Sequence, residues 1–147
     1  MKKISFWRII ASGAVFAVVD IILNSIGAWL TMPYYMMQDY FPVWSKLMMP
    51  TAGPPPTAFY YYAIGFSFLS GALFALVYTV IRNGLHIRQL LLKGVFYGFL
   101  VYIVGAIPGF LSMLLLINLP LGLLVFWAGQ SLVTYIINGA IVAAINR

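Results

Sequence analysis

The polar side chains best suited to chemistry recur at four-residue intervals inside apolar stretches of the sequence. Asp20 is followed four residues later by Asn24, and Gln130, Thr134 and Asn138 repeat the same step near the other end of the chain. Residues four apart lie on the same face of an α-helix, so each set forms one polar stripe. A carboxyl group among amides and hydroxyls can exchange a proton or hold a polar ligand by hydrogen bonds.

Asp20 is the most informative of these residues, because it lies near the middle of its apolar stretch. In a membrane, a carboxylate at that depth costs a few kcal/mol, and no Lys or Arg lies at matching depth in another stretch. The sequence therefore predicts that Asp20 is sheltered in a polar cluster inside a helical bundle. The predicted members are Asp20, Asn24, Ser67, Ser70, Gln130, Thr134 and Asn138.

Two interpretations of this polar cluster remain open. Its side chains can satisfy one another and fix the register of the helices, at about 1 kcal/mol per hydrogen bond, which is a common role for one acid with amide neighbours. Alternatively, they form a site for a proton or a polar substrate in the middle of the membrane.

Enzymatic chemistry is not expected from this composition. The chain has no Cys and no Glu, and its single His is His86. No catalytic triad, phosphate-binding loop, pair of carboxylates or zinc motif is present in the sequence. We therefore expect neither catalytic residues nor a cofactor. A copper site remains an alternative, because thioethers suit Cu(I) and Met36, Met37, Met48 and Met49 fall in one loop.

Lipid is the solvent that the composition predicts. Of 147 residues, 64% are hydrophobic and 7% are charged, whereas a soluble domain carries roughly a quarter of charged residues. Apolar stretches cover about residues 7–32, 57–81, 94–117 and 121–145, each longer than the roughly 18 residues that indicate a membrane-spanning helix. The expected fold is all-α: a single domain over residues 1–147, built as an antiparallel bundle of four transmembrane helices.

Positive charges are distributed unevenly among the predicted loops. The loop 33–56 holds only Lys46, offset by Asp39. Most other basic residues lie before the first span, in the loop 82–93 or at the end of the sequence: Lys2, Lys3, Arg8, Arg82, Arg88, Lys93 and Arg147. Because positive charge resists translocation, we expect both termini and the loop 82–93 in the cytoplasm, and the loop 33–56 outside.

This distribution also predicts the partners of the chain. The cytoplasmic membrane is the expected location, and Arg82, Arg88 and Lys93 are expected to contact lipid phosphates. The net charge of +6 is explained by membrane topology, so no nucleic-acid partner is expected. The outer loop is rich in aromatic residues and Met, which predicts a short amphipathic segment around residues 42–49 lying on the membrane or over the bundle.

Small residues at helical spacing predict where the helices pack. Membrane helices approach closely through such residues, because lipid provides no hydrophobic force between them. The predicted packing faces contain Gly71 and Ala75 in the second span, and Gly94, Gly98, Gly105 and Gly109 in the third. Pro108 is expected to kink the third span, because it removes a backbone hydrogen bond.

The order of these features resembles a group of small four-helix bacterial membrane proteins described as domains of unknown function. The matching residues are Asp20 and Asn24, the stretch 44–49, Gly94 and Gly98, and the turn 118–120. The resemblance implies a topology and no activity. A weaker likeness links the chain to small multidrug-resistance transporters, which carry one acid in the first helix, although their acid is Glu and the signature around it is missing here. Lipid-linked sugar flippases share the length and helix number, without the same C-terminal ending.

The expected function is that of a small integral membrane protein without catalytic machinery. It is expected to serve as a structural or accessory subunit of a larger membrane complex, or as a homo-oligomer assembled through small-residue helix faces. The alternative is a small proton-coupled transporter, or a protein that handles lipids or small molecules, with Asp20 at mid-membrane.

Overall fold

The computed structural model describes residues 5–51 and 53–147, and within them the chain is helical and contains no β-strand. The helices are α1 (Phe6–Leu30), α2 (Met32–Tyr35), α3 (Thr57–Ile81), α4 (Leu90–Val101), α5 (Ile107–Leu116) and α6 (Leu121–Ile145). A π-helical turn joins α4 to α5, so that Leu90–Leu116 is one continuous segment. In this part of the chain, four helices are long and apolar enough to cross a membrane, which confirms the predicted all-helical class and number of spans.

The surface of the bundle is apolar over most of these helices. Val104 and Leu115 are 76% and 87% exposed, and large side chains of every span face outward in the same way. A water-soluble protein rarely exposes apolar patches of this extent, whereas hydrocarbon covers them without cost. Burial therefore agrees with composition in indicating a membrane protein.

Two helix boundaries differ from the prediction for identifiable reasons. The third span begins at Leu90, because the carbonyl of Gln89 accepts the first helical bond from Lys93, and Gly94 then lies inside the helix. The first long helix ends at Leu30, and Pro33 lies in the first turn of the following short helix, which begins at Met32, because proline fits the first turn of a helix but not its interior.

In the loop 33–56, the segment predicted at residues 42–49 is not one continuous helix. The 3₁₀ helix of the loop covers Gln38–Val43, and Ser45 then starts a separate turn. The hydroxyl and carbonyl of Ser45 both accept a bond from the N–H of Met48, a local pairing that competes with a continuing helix. Trp44 packs against Tyr35 and Trp127, with ring centroids 4.9 and 6.3 Å away, so the loop lies on the start of α6.

Long helices are held together where glycine allows close approach. Helix α1 packs against α3 and α6, and α4 packs against α6. A Cβ atom on Gly94 would overlap the carbonyl oxygen of Gly139, and one on Gly98 would overlap that of Tyr135. Gly71 lies against the side chain of Phe16, and Ala75 is fully buried.

Gly105 and Gly109 contact no other helix within the described chain, unlike Gly94 and Gly98 of the same predicted face. Both are exposed, and a Cβ atom on either would meet no atom within 4 Å. The predicted stripe assumes an unbroken α-helix, but the segment widens into a π-helix over Tyr102–Ala106 before Pro108. A π turn holds about one more residue than an α turn, so it rotates the following residues by roughly 100° away from the Gly94 face.

Arginine side chains bind the last carbonyl groups of the chain at one end of the bundle. The guanidinium of Arg8 donates to the carbonyl of Arg147 at 2.7 Å, and that of Arg82 donates to the carbonyl of Asn146. The ammonium of Lys93 donates to the Arg82 carbonyl at 3.4 Å. Arg82 and Lys93 thus hydrogen-bond within the chain, because unpaired carbonyls at a helix end attract cations. Arg88, by contrast, is exposed. Lys2 and Lys3 lie outside the described residues.

The glycine contacts between α4 and α6 predict a stability difference between two conservative changes. Gly98→Ala should lower the free energy of unfolding by about 1–3 kcal/mol, because the added methyl group overlaps the Tyr135 backbone. Gly109→Ala should be neutral or slightly stabilising, because its surroundings are open and alanine favours helix. Unfolding by dodecyl sulfate in mixed micelles, followed by circular dichroism, measures both, and equal losses would contradict the described packing.

Candidate functional site

A chain of side-chain hydrogen bonds joins three of the long helices near their midpoints. The carboxyl of Asp20 on α1 accepts one bond from the Ser67 hydroxyl on α3 and another from the Asn24 amide, the latter at 2.9 Å. The Asn24 carbonyl oxygen accepts a bond from the Gln130 amide on α6 at 2.8 Å. Asp20 is the fifteenth, Ser67 the eleventh and Gln130 the tenth of 25 residues in their helices.

Gly27 makes room for this arrangement. It is buried on α1, three residues after Asn24, and a Cβ atom there would overlap the side-chain amide of Gln130. The absence of a side chain lets the Gln130 amide lie along α1 and reach Asn24. The polar stripes of α1 and α6 therefore meet because a small residue stands beside them.

These side chains border an open space, which we call the polar cavity. Its volume is about 200 Å³. It is lined by Phe16, Asp20, Asn24, Phe66, Ser67, Ser70, Gln130, Ser131, Thr134 and Tyr135. Asp20 and Gln130 are half-buried, and Ser70 and Asn24 are exposed, so the cavity is reached from outside the bundle.

Two other members of the predicted cluster line the polar cavity in different ways. Thr134 is buried, and its hydroxyl donates to the main-chain carbonyl of Gln130 at 3.0 Å. Threonine commonly makes this bond inside a helix, where it satisfies the hydroxyl without a partner on another helix. Ser70 faces the opening one turn beyond Ser67.

Asn138 is separated from the other predicted residues. It is fully buried, does not line the polar cavity, and neither atom of its amide has a hydrogen-bond partner among the described residues. An unpaired buried amide costs about 1–3 kcal/mol. Its four-residue step from Thr134 places it on the same stripe, but the geometry does not bring it to Asp20.

Ser131 and Tyr135 line the polar cavity although the sequence argument did not select them. They follow Gln130 and Thr134 by one position each, and so form a second stripe beside the first. A stripe one residue away is turned by about 100°, which still faces a wide cavity. Asn146, which follows α6, was also missed, and its side-chain amide donates to the hydroxyl of Ser12 at 2.9 Å.

The lining of the polar cavity limits the chemistry available there. It contains one carboxyl, which already accepts two hydrogen bonds, together with amide and hydroxyl groups, and it contains no Lys, Arg or His. Such a site can donate and accept hydrogen bonds and exchange a proton at Asp20. It has no cationic group with which to attract an anion.

Metal binding receives no new structural support. Among the described residues, no group of three or more His, Cys, Asp or Glu could hold a metal ion. In the loop 33–56, Met36 and Met37 are exposed, whereas Met49 is buried and Met48 is half-buried. The copper hypothesis stays a prediction.

Comparison with protein-family models, with curated proteins and with solved structures found no match to this chain.

The hydrogen bond between Asp20 and Ser67 predicts energetic coupling between these two residues. In a double-mutant cycle, Asp20→Ala and Ser67→Ala should be coupled by about 1 kcal/mol of unfolding free energy, a usual value for a bond between membrane helices. The matched cycle of Asp20→Ala with Ser70→Ala should be additive within roughly 0.5 kcal/mol. Equal coupling in both cycles would refute the described bond.

Proposed function

We propose that this chain is an integral membrane protein that binds a small polar ligand, or the polar part of a ligand, in the middle of the bilayer. The observation that carries the proposal is the polar cavity itself. Asp20, Asn24 and Gln130 hydrogen-bond to one another and still border an open space of about 200 Å³. Transport of that ligand, coupled to proton exchange at Asp20, is the activity that this placement favours.

The open space distinguishes this function from a purely structural role. Side chains that only fix helix register pack against each other, and an adjoining cavity adds nothing to that role. Hydroxyl and amide groups that face hydrocarbon lose hydrogen bonds to water at a cost of several kcal/mol each. Ser70 is exposed at the opening of the polar cavity, and water or a polar ligand there would pair with its hydroxyl.

A structural or accessory subunit, or a homo-oligomer, is the second candidate. The segment Leu90–Leu116 favours it, because this is the least buried of the four spans and exposes Gly105 and Gly109. The other small-residue faces give this candidate little support, because Gly71, Gly94 and Gly98 already contact helices of the same chain. Neither candidate includes an enzymatic activity or a cofactor.

We further propose that the four spans are antiparallel neighbours in the cytoplasmic membrane, with both termini on the cytoplasmic side. The hydrogen bonds of Arg8 with Arg147 and of Arg82 with Asn146 support this arrangement, because they gather basic residues from three places in the sequence at one end. Trp44 and Trp127 pack together in the outer-loop region, where an aromatic belt is expected. The same topology would suit the resemblance to small four-helix bacterial proteins.

Labelling of single cysteines tests the orientation, since the natural chain has no Cys. In intact cells, a membrane-impermeant maleimide should modify a Ser45→Cys variant and should not modify an Asn83→Cys variant until the cells are broken. Both positions are exposed in loops, so reactivity reports the side of the membrane. The reverse pattern would overturn the proposed topology.

Cysteine reactivity also tests the proposed site. In vesicles, Ser70→Cys and Ser131→Cys variants should react with a water-soluble methanethiosulfonate reagent, because the polar cavity admits polar molecules. The control is Val104→Cys, which is 76% exposed on the third span but faces hydrocarbon, so it should not react. If the serine positions are as unreactive as Val104, the proposed function is wrong.

A further inference from the structure

An apolar groove continues from the polar cavity between α3 and the third span. Its volume is about 270 Å³. It is lined by Phe16, Ser70, Leu73, Phe74, Val77, Tyr97, Val101 and Tyr135. Phe16, Ser70 and Tyr135 also line the polar cavity, so the two spaces adjoin.

The groove exists because α3 and α4 contact each other through large side chains, which keep their backbones apart. The Tyr97 hydroxyl donates to the carbonyl of Phe74 at 2.6 Å, and the centroids of these two rings are 4.6 Å apart. Tyr97 is fully buried and fixes the distance between the helices. Leu73 and Val77 are about half exposed, so the groove opens sideways toward hydrocarbon.

We propose that the ligand of the polar cavity is an amphiphile with an uncharged, hydroxyl-bearing head and one short apolar chain. This inference rests on the proposed function and assigns the class of molecule. The head lies beside Asn24 and Gln130, and the chain lies along Phe74 and Val77.

The sizes of the two spaces support one ligand that occupies both. Each is smaller than the roughly 300–1,000 Å³ that ligand pockets usually have, whereas their combined volume falls within that range. From Ser67 to Val77 the helix rises about 15 Å, the length of a head followed by a chain of several methylene groups. Water alone fits the polar cavity but gains nothing in the apolar groove.

The charge of the head follows from the hydrogen bonds already made in the polar cavity. Each carboxyl oxygen of Asp20 accepts one bond inside the protein, from Asn24 and from Ser67, so both oxygens already have a protein partner. The side chains that remain to meet a ligand are hydroxyls and amides, namely those of Ser70, Ser131 and Gln130. These groups match a hydroxyl-bearing head, and no cation in the lining attracts an anionic one.

Photolabelling in phosphatidylcholine vesicles tests the inference with a monoacylglycerol that carries a diazirine on its chain. Labels should map to the groove residues of α3 and α4, and unlabelled monoacylglycerol should compete. A cationic alkylammonium or an anionic lysophosphatidate of equal chain length should not compete. Val77→Trp, which fills the groove, should reduce labelling roughly tenfold, the effect of about 1.4 kcal/mol in binding.

Matched variants make each outcome decisive. Val80→Trp enlarges an exposed residue of the same helix outside the groove and should leave labelling unchanged. Leu73→Trp fills the groove at a second position, in case Val77→Trp unfolds.

The outcomes separate the two proposals. If labelling falls in Gln130→Leu but persists in both groove variants, the polar cavity binds a ligand, but the ligand is not an amphiphile with its chain in the groove. If labelling is insensitive to Gln130→Leu, Val77→Trp and Leu73→Trp, or if diazirine-labelled phosphatidylcholine labels the same residues equally, both the polar site and the amphiphile are overturned. Competition by the alkylammonium would overturn the uncharged head.

Discussion

The carboxyl group of Asp20 imposes the strongest constraint on this bundle, because hydrocarbon offers it no hydrogen bond. Its two oxygens are satisfied by Asn24 on the same helix and by Ser67 on α3. Asn24 in turn accepts a bond from Gln130 on α6, so one acid fixes the depth of three helices relative to each other. The position of α1 between α3 and α6 follows from this requirement as much as from apolar packing.

Small residues let the helices come close enough for those bonds, and they act at different places for different pairs. Gly71 lies against Phe16 between α3 and α1, and Gly27 admits the Gln130 amide between α1 and α6. Gly94 and Gly98 bring α4 onto α6. No comparable glycine contact joins α3 to α4 among the described residues, where Tyr97 spans the gap instead. The open groove is thus a consequence of which helix pairs have glycine contacts.

Features that depend on segment length, hydropathy and residue spacing were predictable from the sequence. Features that depend on how each helix is rotated about its axis were not. Span number follows from length and hydropathy, because lipid requires each backbone hydrogen bond to be made within the protein and these segments are too long and too uniformly apolar for barrel strands. The interaction of Asp20 with Asn24 follows from a four-residue step within one helix. By contrast, the exposure of Gly105 and Gly109 results from the π-helical turn at Tyr102–Ala106, which no spacing rule reveals. The separation of Asn138 from the polar cavity and the lining by Ser131 depend on helix rotation, which only tertiary packing determines.

The bundle is fixed at its ends and open in its middle, and the first property explains the second. At one end, Arg8 and Arg82 bind the carbonyls of the two residues that follow α6, and at the other, Trp44 packs on Trp127. A gap between helices loses dispersion contacts, so unrestrained helices would move together and close it. The contacts at the ends, together with the Tyr97 bond to Phe74 between α3 and α4, oppose closure of the polar cavity and the apolar groove.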